Sequence, residues 1–406
     1  MKISSLILTF SLVLACMSCD DKKITIATNP GQGAQTGTSS LKTPFSRMGL
    51  LKNWVNNIIT PAYLDFKKQL TVLKKAENNF VNTSSEENLV LLQKALLETQ
   101  KKWQHIAMFE FGKAEELKYR TYMNSYPLDF KTSKDNSEED DDTIKTNLDE
   151  KNLKIDEINF KIEDRADEQG LPAVDYLING QGTSNKEIID FYTTNSRSAN
   201  YKKYLTKVVD RMVNLTNEVV TDWQKNADSI ILKTEASDTG SFEKLINDYL
   251  NYFEQGFREA KIATPSGKRD GVKFIRAVES FYSSKNSKIL FLESYKALKN
   301  FYEGNAYSDN SKRGHSIKSY LEFLNQTVWD EDSRRQLNII ELVDEKYKAI
   351  DKSVTLLNED FTEQIKTDNS KMKDTFNALQ SYVILTKLNI FQLLNVTVDF
   401  VDGDGD

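Results

Sequence analysis

Apolar residues return at three- and four-residue steps along most of this chain. From about residue 45, Trp54, Ile58, Ile59, Tyr63, Phe66 and Leu70 fall on one helical face. Ser84-Ser85-Glu86-Glu87 offers an N-cap followed by carboxylates in a first turn, ahead of Leu89, Leu92, Ala95, Leu96 and Trp103. Tyr201, Tyr204, Leu205, Val208, Val209, Met212, Leu215 and Val219 trace a stripe about five turns long. Residues 240–262, 273–303, 314–325, 330–356 and 370–396 repeat the theme, and alternating strand patterns are nearly absent. The pattern predicts an all-α protein of bundled helices.

Composition agrees. Only 6 Pro and 16 Gly interrupt 406 residues, few enough breakers for long helices. A formal net charge of −6, with both signs interleaved and no basic stripe, argues against nucleic acid as a partner. The acidic run KTSKDNSEEDDDTIKTNLDEKN (131–152) lacks the central Gly and closing Glu of a calcium loop, and reads as a solvated insertion. The terminal DGDGD (402–406) hints at calcium but supplies no closing ligand.

The amino terminus changes the picture of where the protein works. Lys2 precedes an apolar stretch, Ile3 to Ala15, that is too short to span a bilayer as a mature helix. VLAC (13–16) and CMSC (16–19) both resemble the bacterial lipobox; Val13 and Ala15 make Cys16 the preferred acylation site, with Cys19 the alternative. These are the only two cysteines, so the body beyond them has no thiolate metal site and no disulfide. Residues 1–19 are expected to be a lipoprotein signal and acylation region, and 20–44 a flexible stalk rich in Gly, Ser, Thr and Asn. Asp20-Asp21 resembles the surface-export signals of Bacteroidetes-type lipoproteins. The expected location is the cell envelope, on a lipid anchor in the outer membrane.

An internal echo suggests how the body is organised. GLPAVDYLI (170–178) aligns without gaps to GHSIKSYLE (314–322), matching Gly170 with Gly314, Tyr176 with Tyr320 and Leu177 with Leu321. A long amphipathic helix is expected after each, over 199–226 and 330–356. Two duplicated helical-bundle halves, 45–235 (carrying the 131–152 insertion) and 236–406, are the expected domains.

Four stretches, taken in order, resemble the imelysin-like proteins: SYPLDF (125–130), RADEQGLPAVDYLING (165–180), KIATPSGKRDG (261–271) and LLNVTVDFVDGDGD (393–406). The resemblance implies an envelope protein of two duplicated helical bundles. The family's G-x-H-x-x-E signature, proposed to bind metal or to serve a peptidase, falls on Gly170, Pro172 and Asp175. His and Glu at that spacing share a helix face and can share an ion. Pro172 has no ligand atom, so only Asp175 remains as a metal-ligand candidate, and the cofactor is open among ions such as iron, zinc and calcium.

Gly170 and Pro172 suit a helix entrance, which would put Asp175 in a solvated first turn. The competing expectation has Asp175 and Gly170, with Arg165, line a ligand pocket between the halves, joined by Lys268 and Arg269 of the TPSGKRDG turn. His105 and His315 are the only histidines; His105 reads as core or rim packing, and no H-E-x-x-H, G-x-S-x-G or phosphate-loop motif occurs. Trp54, Trp103, Trp223 and Trp329 are expected in the core. The leading functional reading is a tethered imelysin-like binding protein that captures a ligand in iron acquisition, with an iron-containing ligand or an outer-membrane transporter as partner. A metal-dependent peptidase and a non-catalytic scaffold docking an outer-membrane transporter are the alternatives.

Overall fold

A computed structural model describes residues 44–399, apart from 129, 133–137, 141–142, 150–154, 238 and 331–332. Cys16, Cys19, the stalk, part of the acidic run and the DGDGD terminus lie outside the described residues. Helices dominate, as the periodicity predicts. The first runs over 47–82, the next is Glu86–Trp103, and another long one is Ser198–Leu232. Every apolar residue of the three predicted stripes is buried. The helix starts follow from local chemistry: Ser46 accepts from Gly49 N at 2.9 Å, and Ser85 accepts from Asn88 N at 3.3 Å. Each such cap contributes about 1 kcal/mol.

Among the described residues four helical stretches are π-wound: Trp54–Ile59, Tyr176–Gly180, Tyr252–Ala263 and Thr386–Ile390. A π turn inserts residues into a helix and shifts which side chains share a face. The second and third of these flank the site described below.

The residues before and after 235 interlock. Trp54 stacks on Phe301 with centroids 4.4 Å apart. Arg47 donates to the Leu394 carbonyl at 3.0 Å and lies 4.4 Å from the Phe242 ring centroid. Asn53 Nδ2 donates to the carbonyls of Gly304 and His315, both at 3.0 Å. From Phe45 onward the chain is accordingly one compact unit. Fully burying each such aromatic stabilises by about 1.5–3 kcal/mol.

Several expectations need correction. The helix predicted over 330–356 does not start at 330: Thr327–Asp330 and Arg335–Asn338 form an antiparallel hairpin, and the helix begins at Ile339. Trp329 sits on that hairpin and is 47% exposed, so it is not a core residue. Residues 275–286 are irregular 3₁₀ turns, and the helix predicted over 273–303 starts at Ser287. Strands do occur, as three two-stranded hairpins among the described residues. The echoing glycines also differ. Gly170 opens its helix at φ +76°, whereas Gly314 precedes a helix that begins at Ile317 behind a Ser316–Ser319 capping box. No described helix is long and apolar enough to cross a membrane.

Candidate functional site

Gly170 opens the Gly170–Asp175 helix where the predicted entrance lies. A Cβ there would come within 2.4 Å of the Met123 carbonyl oxygen, so close backbone packing requires glycine. Asp175 is the sixth residue of this helix rather than a first-turn residue, and it is 1% exposed. The solvated first-turn reading is therefore incorrect.

Its carboxylate is fully engaged. Ser283 Oγ donates to Asp175 Oδ1 at 2.6 Å, Asn179 Nδ2 at 2.9 Å, and the Tyr282 backbone N–H donates to Oδ2 at 3.1 Å. Burial pushes its pKa up to about 6, against the pull of these donors. Asp175 thus holds the 3₁₀ turn Phe281–Asn286, which enters from a left-handed Ser280 at φ +61°.

Pro172 and Asp175 do face one cavity, as the motif spacing requires, but its volume is about 10 Å³. That is room for about one water molecule. The cation lining it is Arg276, which donates to the Leu128 carbonyl at 3.2 Å. The cations expected there lie elsewhere. Arg165 pairs with Glu168 at 2.7 Å, and Arg269 pairs with Glu259 at 2.6 Å. Lys268 lies 5.3 Å from the Phe376 ring centroid, with Arg269 at 4.9 Å from the same ring. The predicted TPSGKRDG turn is present, with Gly267 at φ +63° ending the helix.

A metal does not fit at Asp175. Pro172 offers no donor atom, both carboxylate oxygens already accept hydrogen bonds, and no group of three or more His, Cys, Asp or Glu among the described residues is arranged to hold an ion.

Beside Asp175 a polar seam continues through residues that sequence reasoning missed. Ser283 Oγ meets Ser280 Oγ at 2.6 Å, and Gln100 Nε2 donates to Ser280 Oγ at 3.3 Å. The adjacent Glu279 accepts from Gln104 Nε2 at 3.0 Å and Asn124 Nδ2 at 2.8 Å, and forms a close ion pair with Lys261. Lys261 also donates to Gln104 Oε1 at 3.0 Å. Lys261 and Glu279 are 3% and 6% exposed, so the pair survives only because each charge is neutralised and hydrogen-bonded.

Lys261 and Asn124 line a cleft of about 240 Å³, with Trp103, Arg120 and Tyr126 from before residue 235 and Tyr252, Gly256 and Ala260 from after it. The last three and Lys261 lie on the π-wound Tyr252–Ala263 stretch, whose register brings them to one wall. Arg120 lies over the Tyr252 ring at 5.6 Å, and burial, Glu279 and Tyr252 hold the Tyr126 hydroxyl pKa well above its ordinary value. The cleft is slightly below the usual size of small-molecule sites, and it combines aromatic walls with two cations.

His105 occupies a separate outer groove of about 680 Å³, where its Nε2 lies 3.0 Å from Glu293 Oε2. Asp65, held by Lys102 at 2.8 Å and the Tyr307 hydroxyl at 2.6 Å, lines the same groove. The rim reading of His105 agrees with its 13% side-chain exposure.

Comparison with known proteins gives a consistent answer. The imelysin family model (peptidase M75) matches residues 59–383. An imelysin-like protein from Psychrobacter arcticum superposes with a TM-score of 0.60 at 17% identity, over 87% of this chain and 97% of that one. A structure described as an iron-regulated protein A precursor from Parabacteroides distasonis gives 0.59 at 18% identity, over 86% and 97%. No curated protein matches. With four-fifths of its length under the family model and the same all-α fold, this chain belongs to the imelysin family.

Proposed function

We propose that this chain is a cell-envelope imelysin lipoprotein, acylated at Cys16 and held at the outer membrane, whose body captures an iron-containing ligand. The cleft between Tyr126, Tyr252 and Lys261 takes that ligand. The observation that carries the reading is the buried Lys261–Glu279 pair with Gln104 and Asn124, a polar cluster built from both sides of residue 235 that reaches the cleft through Lys261 and Asn124. A charge pair withdrawn from water is costly to keep in a core, and such groups in a cleft mark functional sites. The family membership and the iron-regulated neighbour support an iron-related role. Arg120 and Lys261 are paired with Glu110 and Glu279, but no carboxylate among the described residues lines the cleft itself, which favours an iron chelate over a bare ion that would need acidic ligands.

Ferric citrate is the probe. Trp103 lines the cleft, so its fluorescence should report binding. Saturable quenching is expected, and Ala260→Trp, which fills the cleft without removing a polar partner, should weaken it at least tenfold at unchanged Tm. Absence of saturable binding, or equal affinity in the filled variant, would overturn the proposal.

A further inference from the structure

A separate cavity of about 630 Å³ runs along the Ser198–Leu232 helix where it meets residues 156–161. It shares no residue with the cleft above. Five cations line it, Lys161, Lys202, Lys203, Lys207 and Arg211, against two carboxylates, Asp156 and Asp210. This is a local excess of positive charge on a chain whose net charge is −6.

The two carboxylates are already occupied. Asp156 pairs with Lys203 at 3.0 Å, and Asp210 pairs with Lys74 at 2.7 Å. Lys207 spends its ammonium on the carbonyls of Ile155 and Asp156, at 2.9 and 2.8 Å. Lys161, Lys202 and Arg211 have no ion pair with any described residue. Arg211 lies 5.3 Å from the Tyr122 ring centroid, and its Nε is buried with no acceptor among the described residues. Burial lowers the pKa of both Arg211 and Lys207, so each is partly stripped of water and gains more from an anion than an exposed cation would. Beside these charges, Ile158 and Phe160 supply a buried apolar wall.

We propose that this cavity binds a phosphate group carried on an apolar body: Arg211 and Lys161, which both adjoin Tyr122, take the phosphate, Lys202 adds positive potential from further along the helix, and the body lies on Phe160 and Ile158. Three unpaired cations call for a multiply charged anion, and a guanidinium fork matches two phosphate oxygens at once. Such a group could come from a soluble phosphorylated molecule or from the headgroup of an anionic lipid.

The test uses the chain from residue 20 onward, which keeps the whole compact unit from Phe45. Calorimetric titrations with phenyl phosphate, inorganic phosphate and phenol are run beside flotation with phosphatidylglycerol and phosphatidylcholine vesicles. Phenyl phosphate should bind saturably and more tightly than inorganic phosphate, with phenol silent. Lys161→Ala/Lys202→Ala and, separately, Arg211→Gln should each weaken it at least tenfold at unchanged Tm. Flotation with phosphatidylglycerol alone, lost in both variants, assigns the phosphate to a lipid; phenyl phosphate binding without flotation assigns it to a soluble molecule. The proposal is overturned if neither probe binds, or if binding survives both variants.

Discussion

Asp175 accepts a 2.6 Å hydrogen bond from Ser283, 108 residues further along the chain. That bond joins the Gly170–Asp175 helix to the irregular turn that carries Glu279 and Ser280 into the polar seam. Asp175 is a strut at the edge of the cleft.

Asp175→Asn should therefore destabilise the protein by about 1–3 kcal/mol, because an amide N–H₂ would confront groups that donate to the carboxylate. Urea unfolding measures it. An unchanged midpoint would show that the turn does not depend on this acid.

The pH dependence has a definite sign. Asp175 is raised to about 6 from 3.8, and Glu110 to about 7 from 4.5, in both cases chiefly by burial, with Arg120 opposing the shift at Glu110. Between the unfolded and folded values the native state binds more protons, so each group's stabilising contribution is present below its unfolded pKa and is lost as pH rises through its folded pKa. Glu110→Gln should flatten the fall in Tm between pH 5 and 7.5. A slope identical to the parent's would contradict the assignment.

Glu279→Gln alone should cost about 3–5 kcal/mol, since it strands the Lys261 charge in a buried site. Adding Lys261→Met should restore part of that loss, giving a non-additive double-mutant cycle. Simple additivity would mean that the two side chains are not coupled.

Two glycines should behave differently. Gly170→Ala meets the Met123 carbonyl as well as the left-handed backbone penalty of about 1–2 kcal/mol, whereas Gly271, at φ +83°, has nothing within 4 Å of an added Cβ. Gly170→Ala should lower Tm clearly more than Gly271→Ala.

Replacing both Cys16 and Cys19 with Ser should move the protein from the membrane to the soluble fraction. Membrane association that persists in the double variant would defeat the lipid anchor.

The helices were legible because their signals are local: stripes of period 3.6, and a cap at Ser85. The hairpin around Trp329 was not, since its strands, TVWD and RQLN, are only four residues each and show no clean alternation. Asp175 was singled out by its motif, but its distant partners, Tyr282 and Ser283, lie in ESFYSS (279–284), a stretch without periodicity. Lys261 did leave a trace. It follows Phe253 and Phe257 at four-residue steps on an apolar stripe, where a lysine must find a buried counter-charge. Choosing Lys268 and Arg269 instead favoured the conspicuous turn over that stripe. Which carboxylate answers Lys261 depends on tertiary packing that local pattern does not encode.

Ferric citrate titration of the parent, Ala260→Trp and Asp175→Asn in parallel tests the central claim most directly. The account predicts that Ala260→Trp loses affinity while keeping its Tm, and that folded Asp175→Asn keeps affinity while losing stability. Undiminished binding in Ala260→Trp, together with stoichiometric iron that disappears in Asp175→Asn, would return the site to the motif acid and contradict the cleft.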